Sequence, residues 1–153
     1  MPEQKNTYLL FAAAGAFLGG LLHVVIALAN RPEWIAFFRA PDWVVQSASQ
    51  GTWLAPVSGL VIAGLMWLCS VYACSAAGLL PRLPRLPLPR TGLFTTAAIC
   101  LLRGVILLPL LLWHPRLLQH IDTFEVAAAL IWFAIGLCFA LGLYGLRHSA
   151  RRA

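Results

Sequence analysis

Charge is scarce in this chain. Asp, Glu, Lys and Arg make up 10% of its 153 residues, where a soluble domain carries about a quarter. Acids are the scarcer sign: Glu3, Glu33, Asp42, Asp122 and Glu125 are all there are, and none lies within a long apolar stretch. A buried acid–base pair is therefore not available inside those stretches. Of the four histidines only His23 falls within one, so two axial histidines for a haem are lacking as well. Cysteine is rare and badly placed for a disulfide framework. Cys69, Cys74, Cys100 and Cys138 all sit in apolar stretches, none sits in a polar connection, and no Cys-x-x-Cys occurs. An exported disulfide scaffold is excluded on those grounds. Cys69, Cys100 and Cys138 fall at similar depths, which leaves a buried cluster as an alternative to plain packing as small apolar groups. The expectation is packing, with no metal and no cofactor.

What the chain has in abundance is hydrophobic sequence, 61% of the whole. It is gathered into four runs, at about 8–29, 54–79, 92–113 and 126–146, each close to the roughly 20 residues that a membrane helix needs. The first resembles a secretory signal, with Ala27-Leu28-Ala29 like a cleavage site. Its apolar core exceeds the about 7–15 residues of a signal, and it is read as a retained helix. The expected fold class is all-α: a polytopic membrane protein with four transmembrane helices in a bundle, forming one domain over residues 1–153.

The net charge of +6 is arranged along the chain in a way that fits insertion better than nucleic-acid binding. Lys5, Arg82, Arg85, Arg90, Arg147, Arg151 and Arg152 lie at the two ends and in the middle connection. The other two connections hold Arg31, Arg39 and Arg116 together with four acids, Glu33, Asp42, Asp122 and Glu125. Because Lys and Arg stay on the cytoplasmic side, both termini and residues 80–91 are expected inside the cell and the other two connections outside. Anionic lipid head groups are natural partners for the basic side.

Arg103, near the middle of TGLFTTAAICLLRGVILLPLLLWHP, is the residue around which the chain is organised. A charge at that depth costs roughly 2.5–3.5 kcal/mol on insertion scales, so it is expected to turn inward or to hold a ligand. Gly104 beside it permits a close approach, and Pro109 frees the carbonyl of Val105. In the first helix Gly15, Gly19 and His23 share one face at i, i+4 spacing. His23 lies about 10 Å and Arg103 about 15 Å from the outer surface by helix rise. One outward-facing polar pocket is thus expected around Arg103 and His23, lined by Gln46, Ser49 and Gln50 and closed by residues 46–52.

The first outer connection repeats itself: Pro32-Glu33-Trp34-Ile35 is followed nine residues later by Pro41-Asp42-Trp43-Val44. Proline suits the first helical position and an acid suits the positive end of the helix dipole. Two short interfacial helices, 32–39 and 41–49, are expected, anchored at the membrane surface by Trp34, Phe37, Phe38 and Trp43. Gly78 is a helix stop, and Asp122 with Glu125 three later is an N-terminal capping pair. The connection PRLPRLPLPR is a stiff basic turn.

Several four-helix membrane families are set aside on their motifs. The Glu-Arg-x-x-Asn type signature of the membrane glutathione and eicosanoid enzymes is missing. So are the first-helix acid of small multidrug transporters and the outer cysteine pairs of quinone-linked disulfide oxidases and claudin-like proteins. Over roughly residues 19–109 the chain resembles a group of small four-helix bacterial inner-membrane proteins of no assigned activity. The resemblance rests on His23 before the Trp34–Phe38 segment, on Tyr72-Ala73-Cys74-Ser75-Ala76-Ala77-Gly78, and on Leu102-Arg103-Gly104. It implies a bacterial inner-membrane location and leaves activity open. Two readings follow. One is a non-enzymatic accessory or binding module, partnered by lipids, a second copy or a larger membrane complex. The other is a small membrane enzyme acting on a lipid or quinone. The lack of a second acid–base residue in the helices favours the first, and catalytic residues are unassigned.

Overall fold

The computed structural model describes residues 6–80, 89–106, 113 and 122–152, with the side chains of 89, 90 and 147–152 excepted. The described chain is helical. We label the helices α1 (Thr7–Ala29), α2 (Pro32–Phe37), α3 (Asp42–Ser49), α4 (Leu54–Ala76), α5 (Pro89–Val105) and α6 (Thr123–Arg152). Three of them, α1, α4 and α6, are long and apolar enough to cross a membrane. The expected fourth span is shorter: α5 ends at Val105, and its apolar part is Thr91–Val105. Pro109 and the rest of the expected 92–113 run, the basic turn at 81–88 and the connection at 114–121 lie outside the described residues.

Each helix end has a local cause. Asn6 caps α1, its Oδ1 accepting from Leu9 N at 3.3 Å. Asp122 caps α6 as expected, its Oδ1 accepting from Glu125 N at 2.9 Å. The repeated Pro-acid-Trp units do start two short helices, with Pro32 at the first position of α2 and Pro41 just before α3. Three helices then stop in one way. Arg39 (φ 56), Gly51 (φ 66) and Gly78 (φ 78) take the left-handed conformation after α2, α3 and α4. The amides of each of these residues and of the next one turn back: Arg39 to Ala36 O and Ala40 to Ile35 O, Gly51 to Ala48 O and Thr52 to Ser47 O, Gly78 to Ser75 O and Leu79 to Cys74 O. That is the paired 5→2 and 6→1 closure of a Schellman turn. Gly78 was legible as a stop; Arg39 was not, because an arginine carries no such signal.

By contacts the chain divides into two compact units, residues 1–15 with 69–153, and residues 16–68. In the first, segments of α1, α4, α5 and α6 meet around Leu9, Ala13, Ala73, Leu93 and Phe139, with Leu9, Ala73 and Phe139 wholly buried. α5 and α6 run against each other through glycine. A methyl group at Gly104 would stand 2.6 Å from Phe133 Cβ and 2.7 Å from its Cα and N, and one at Gly136 2.8 Å from Leu101 N. The backbones are therefore too close for any side chain between them. Asn6 Nδ2 donates to the Gly142 carbonyl of α6 at 2.8 Å, and Ser70 Oγ of α4 to the Ala13 carbonyl of α1 at 2.9 Å.

In the second unit Ile35, Val44, Ala48 and Ala55 form a small core with Ile26 packed against it. Both short helices are thereby fastened where α1 ends and α4 begins. Here the turn after α3 serves structure. Ser47, 5% exposed, accepts from Ala55 N at 3.1 Å and shares a hydrogen bond with the Thr52 hydroxyl. It supplies the acceptor that the free amides at the start of α4 require. Outside these cores the long helices show apolar surface: 17% of the α4 span is buried, and 28% of the spans in α1 and α6.

Candidate ligand-binding surfaces

Arg103 sits in the first unit, in the last turn of α5. The inward face of that helix is Leu93, Ala97 and Cys100, all buried, continued by Gly104 against Phe133. Arg103 is about 100° around the helix from Gly104, and the structure leaves it exposed. It does not point into the buried core of its own unit, because that face is already filled by Leu93, Ala97, Cys100 and Gly104. Its stripe is shared with Thr96, seven residues and two turns earlier, whose Oγ1 lies 3.2 Å from Cys69 Sγ of α4. Among the described residues Arg103 makes no ion pair. Its neighbour Leu102 is 69% exposed, so the guanidinium emerges from an apolar surface.

The remaining expected site residues belong to the second unit. His23 is partly buried on α1, with Nδ1 2.8 Å from the Gly19 carbonyl one turn back. A carbonyl only accepts, so Nδ1 carries the proton and Nε2 is the nitrogen left for another partner. Gln46, Ser49 and Gln50 are exposed and close together at the end of α3. Ser49 Oγ donates to the Gln46 carbonyl at 2.8 Å, which the Gln50 amide also reaches at 3.0 Å. The Gln46 and Gln50 amide groups are thus presented on one surface, while Ser49 is spent locally. Ser47 and Thr52, within the expected closing stretch, hold α3 to α4 instead.

The same unit also carries a concave surface that the sequence expectations do not include. A groove of about 510 Å³ runs between the end of α1 and α2. Leu22, Val25 and Ile26 line it from α1. Glu33, Trp34, Phe37 and Phe38 line it from α2 and its cap, and Glu33 is the only charged member. Trp34, Phe37 and Phe38 fall at i, i+3 and i+4, and Glu33 stands four residues before Phe37, which is the spacing that puts the four on one wall. The Arg31 guanidinium stands 5.9 Å from the centre of the Trp34 ring. Phe37 and Phe38 meet edge to face, ring centres 5.4 Å apart at 88°.

No group of three or more His, Cys, Asp or Glu placed to hold a metal occurs among the described residues. Compared with protein-family models, with curated proteins and with solved structures, the chain matches none.

Proposed function

We propose that this chain is a four-span bacterial inner-membrane protein that works as a non-enzymatic binding or accessory module, Arg103 being the contact for the negative group of an amphipathic ligand. The observation that carries the reading is the state of Arg103: a cation exposed on an apolar helix, with no ion pair among the described residues. Such a group inside a bilayer is too costly to be kept without an acceptor. A lipid phosphate, a carboxylate or a partner subunit would supply one.

The rest of the topology is supported by sequence. In this reading α5 continues toward Trp113 and completes a four-helix bundle, α2 and α3 lie at the outer surface, and both termini are cytoplasmic, following the distribution of basic residues. Membrane lipids are the first partners, with a second copy or a larger complex as further ones. The alternative, an enzyme acting on a lipid or quinone, draws on His23, whose Nε2 is left to accept a proton.

Replacement of Arg103 by leucine tests the main reading. The expected result is an unchanged melting temperature in detergent, because the exposed side chain leaves no buried partner behind, together with retention of less anionic lipid than the wild type. Arg103→Lys should retain part of that binding. A fall in stability with lipid retention unchanged would make Arg103 structural and end the proposal. For the pocket expected around Arg103 and His23, the test is a double replacement with His23→Ala. Losses in binding that multiply as independent effects argue for separate sites, and losses that do not multiply argue for one.

A further inference from the structure

The groove between α1 and α2 has the layout of a lipid seat with a selective head-group end. Leu22, Val25 and Ile26 precede the end of α1 at Ala29 by three to seven residues, or roughly 5–10 Å along the helix. In a membrane-spanning α1 they lie where acyl chains begin. Arg31 and Glu33 follow that end by two and four residues, which is head-group level. The α1 wall is thus apolar at acyl depth, and the charged residues sit where a phospholipid carries its charges.

We propose that this groove binds a zwitterionic phospholipid bearing a primary amine, its acyl chain along Leu22, Val25 and Ile26, its ammonium on the Glu33 carboxylate and its phosphate toward Arg31. Charge complementarity singles out this occupant. Glu33 is exposed and without an ion pair among the described residues, so its oxygens are open to a donor. A primary ammonium offers three N–H donors to a carboxylate; a quaternary ammonium offers none and relies on aromatic faces. One face of the Trp34 ring already carries Arg31, and the edge-to-face contact of Phe37 with Phe38 takes a face of one of those rings, which leaves fewer faces for it. A net-anionic lipid without an amine would meet Glu33 unfavourably. The inference rests on α1 crossing the membrane and on nothing about Arg103.

The test uses the full chain in phosphatidylcholine nanodiscs doped with equal amounts of phosphatidylethanolamine and phosphatidylglycerol, with retained lipid counted by native mass spectrometry. Because Arg103 is itself proposed to hold an anionic lipid, the count is made in Arg103→Leu, which should retain phosphatidylethanolamine over both competitors by about tenfold, the scale of one charge-assisted hydrogen bond. Adding Glu33→Gln should abolish most of that preference with the melting temperature unchanged, since the side chain is exposed. Adding Phe37→Ala, which opens the wall, should lower retention of every lipid. Equal retention of the three lipids by Arg103→Leu, preference there for either competitor, or an unaltered preference when Glu33→Gln is added would each overturn the proposal. If wild type preferred phosphatidylethanolamine to phosphatidylcholine and Arg103→Leu did not, the selective site would lie at Arg103 and the groove would lose its role.

Discussion

Single residues in this chain are read well where they are anomalous and poorly where they are ordinary. Arg103 stands out in an apolar run without any structure, and the structure keeps it unpaired among the described residues. Its direction was not legible, because helical spacing ranks faces only once a partner helix is known, and Gly104 and Cys100 take the inner one. Asn6 caps α1, and an Asn directly before an apolar run is the cap signal that marks it. Ser47 was hidden among neighbours of the same polarity, yet it differs from Gln46 and Ser49 in being buried and bonded to Ala55 N. Removing its hydroxyl leaves that amide without an acceptor. We expect Ser47→Ala to cost about 1–2 kcal/mol, seen as a lower melting temperature, while Ser49→Ala on the exposed side of the same turn changes it little. Equal effects of the two would place the cap elsewhere.

At the scale of elements, starts were easier to read than ends. Pro32-Glu33-Trp34 and Pro41-Asp42-Trp43 set two helix beginnings correctly, since proline and an acid act locally at the first turn. The ends depend on closures several residues long, and the one after α2 uses Arg39 at φ 56. Gly104 was expected to permit a close approach, and the structure separates the glycines that do from those that do not. Gly104 and Gly136 meet backbone of the facing helix, whereas Gly64 has nothing within 4 Å of an added methyl. Gly104→Val should therefore push α5 from α6 and destabilise by about 1–3 kcal/mol. Gly64→Ala should be neutral or stabilise by up to about 1 kcal/mol through helix propensity. Thermal unfolding of the two variants in one detergent checks both, and a stable Gly104→Val would mean that the α5–α6 contact is looser than drawn.

At the scale of the whole molecule the open matter is parity. α1, α4 and α6 are each sufficient to span, and three crossings would put the two ends of the chain on opposite sides. Four put them on the same side, so the crossing of α5 is decided by comparing the termini and needs no view of α5 itself. The positive-inside distribution favours four, since Lys5 near one end and Arg147, Arg151 and Arg152 near the other would then all be cytoplasmic. The native cysteines lie within the apolar stretches of α4, α5 and α6, so an engineered thiol outside those stretches is distinguishable in a labelling experiment. Ser49 is the reporter for the outer surface, being exposed where Ser47 is buried. We expect Ser49→Cys to react with a membrane-impermeant maleimide in intact cells, and Gln4→Cys and Ser149→Cys only after permeabilisation. Labelling of one terminus from outside and the other from inside would leave α5 uncrossed and reduce the protein to three spans. Labelling of both termini from outside would preserve four spans but invert the orientation, taking the α1–α2 groove and the polar end of α3 to the cytoplasmic face.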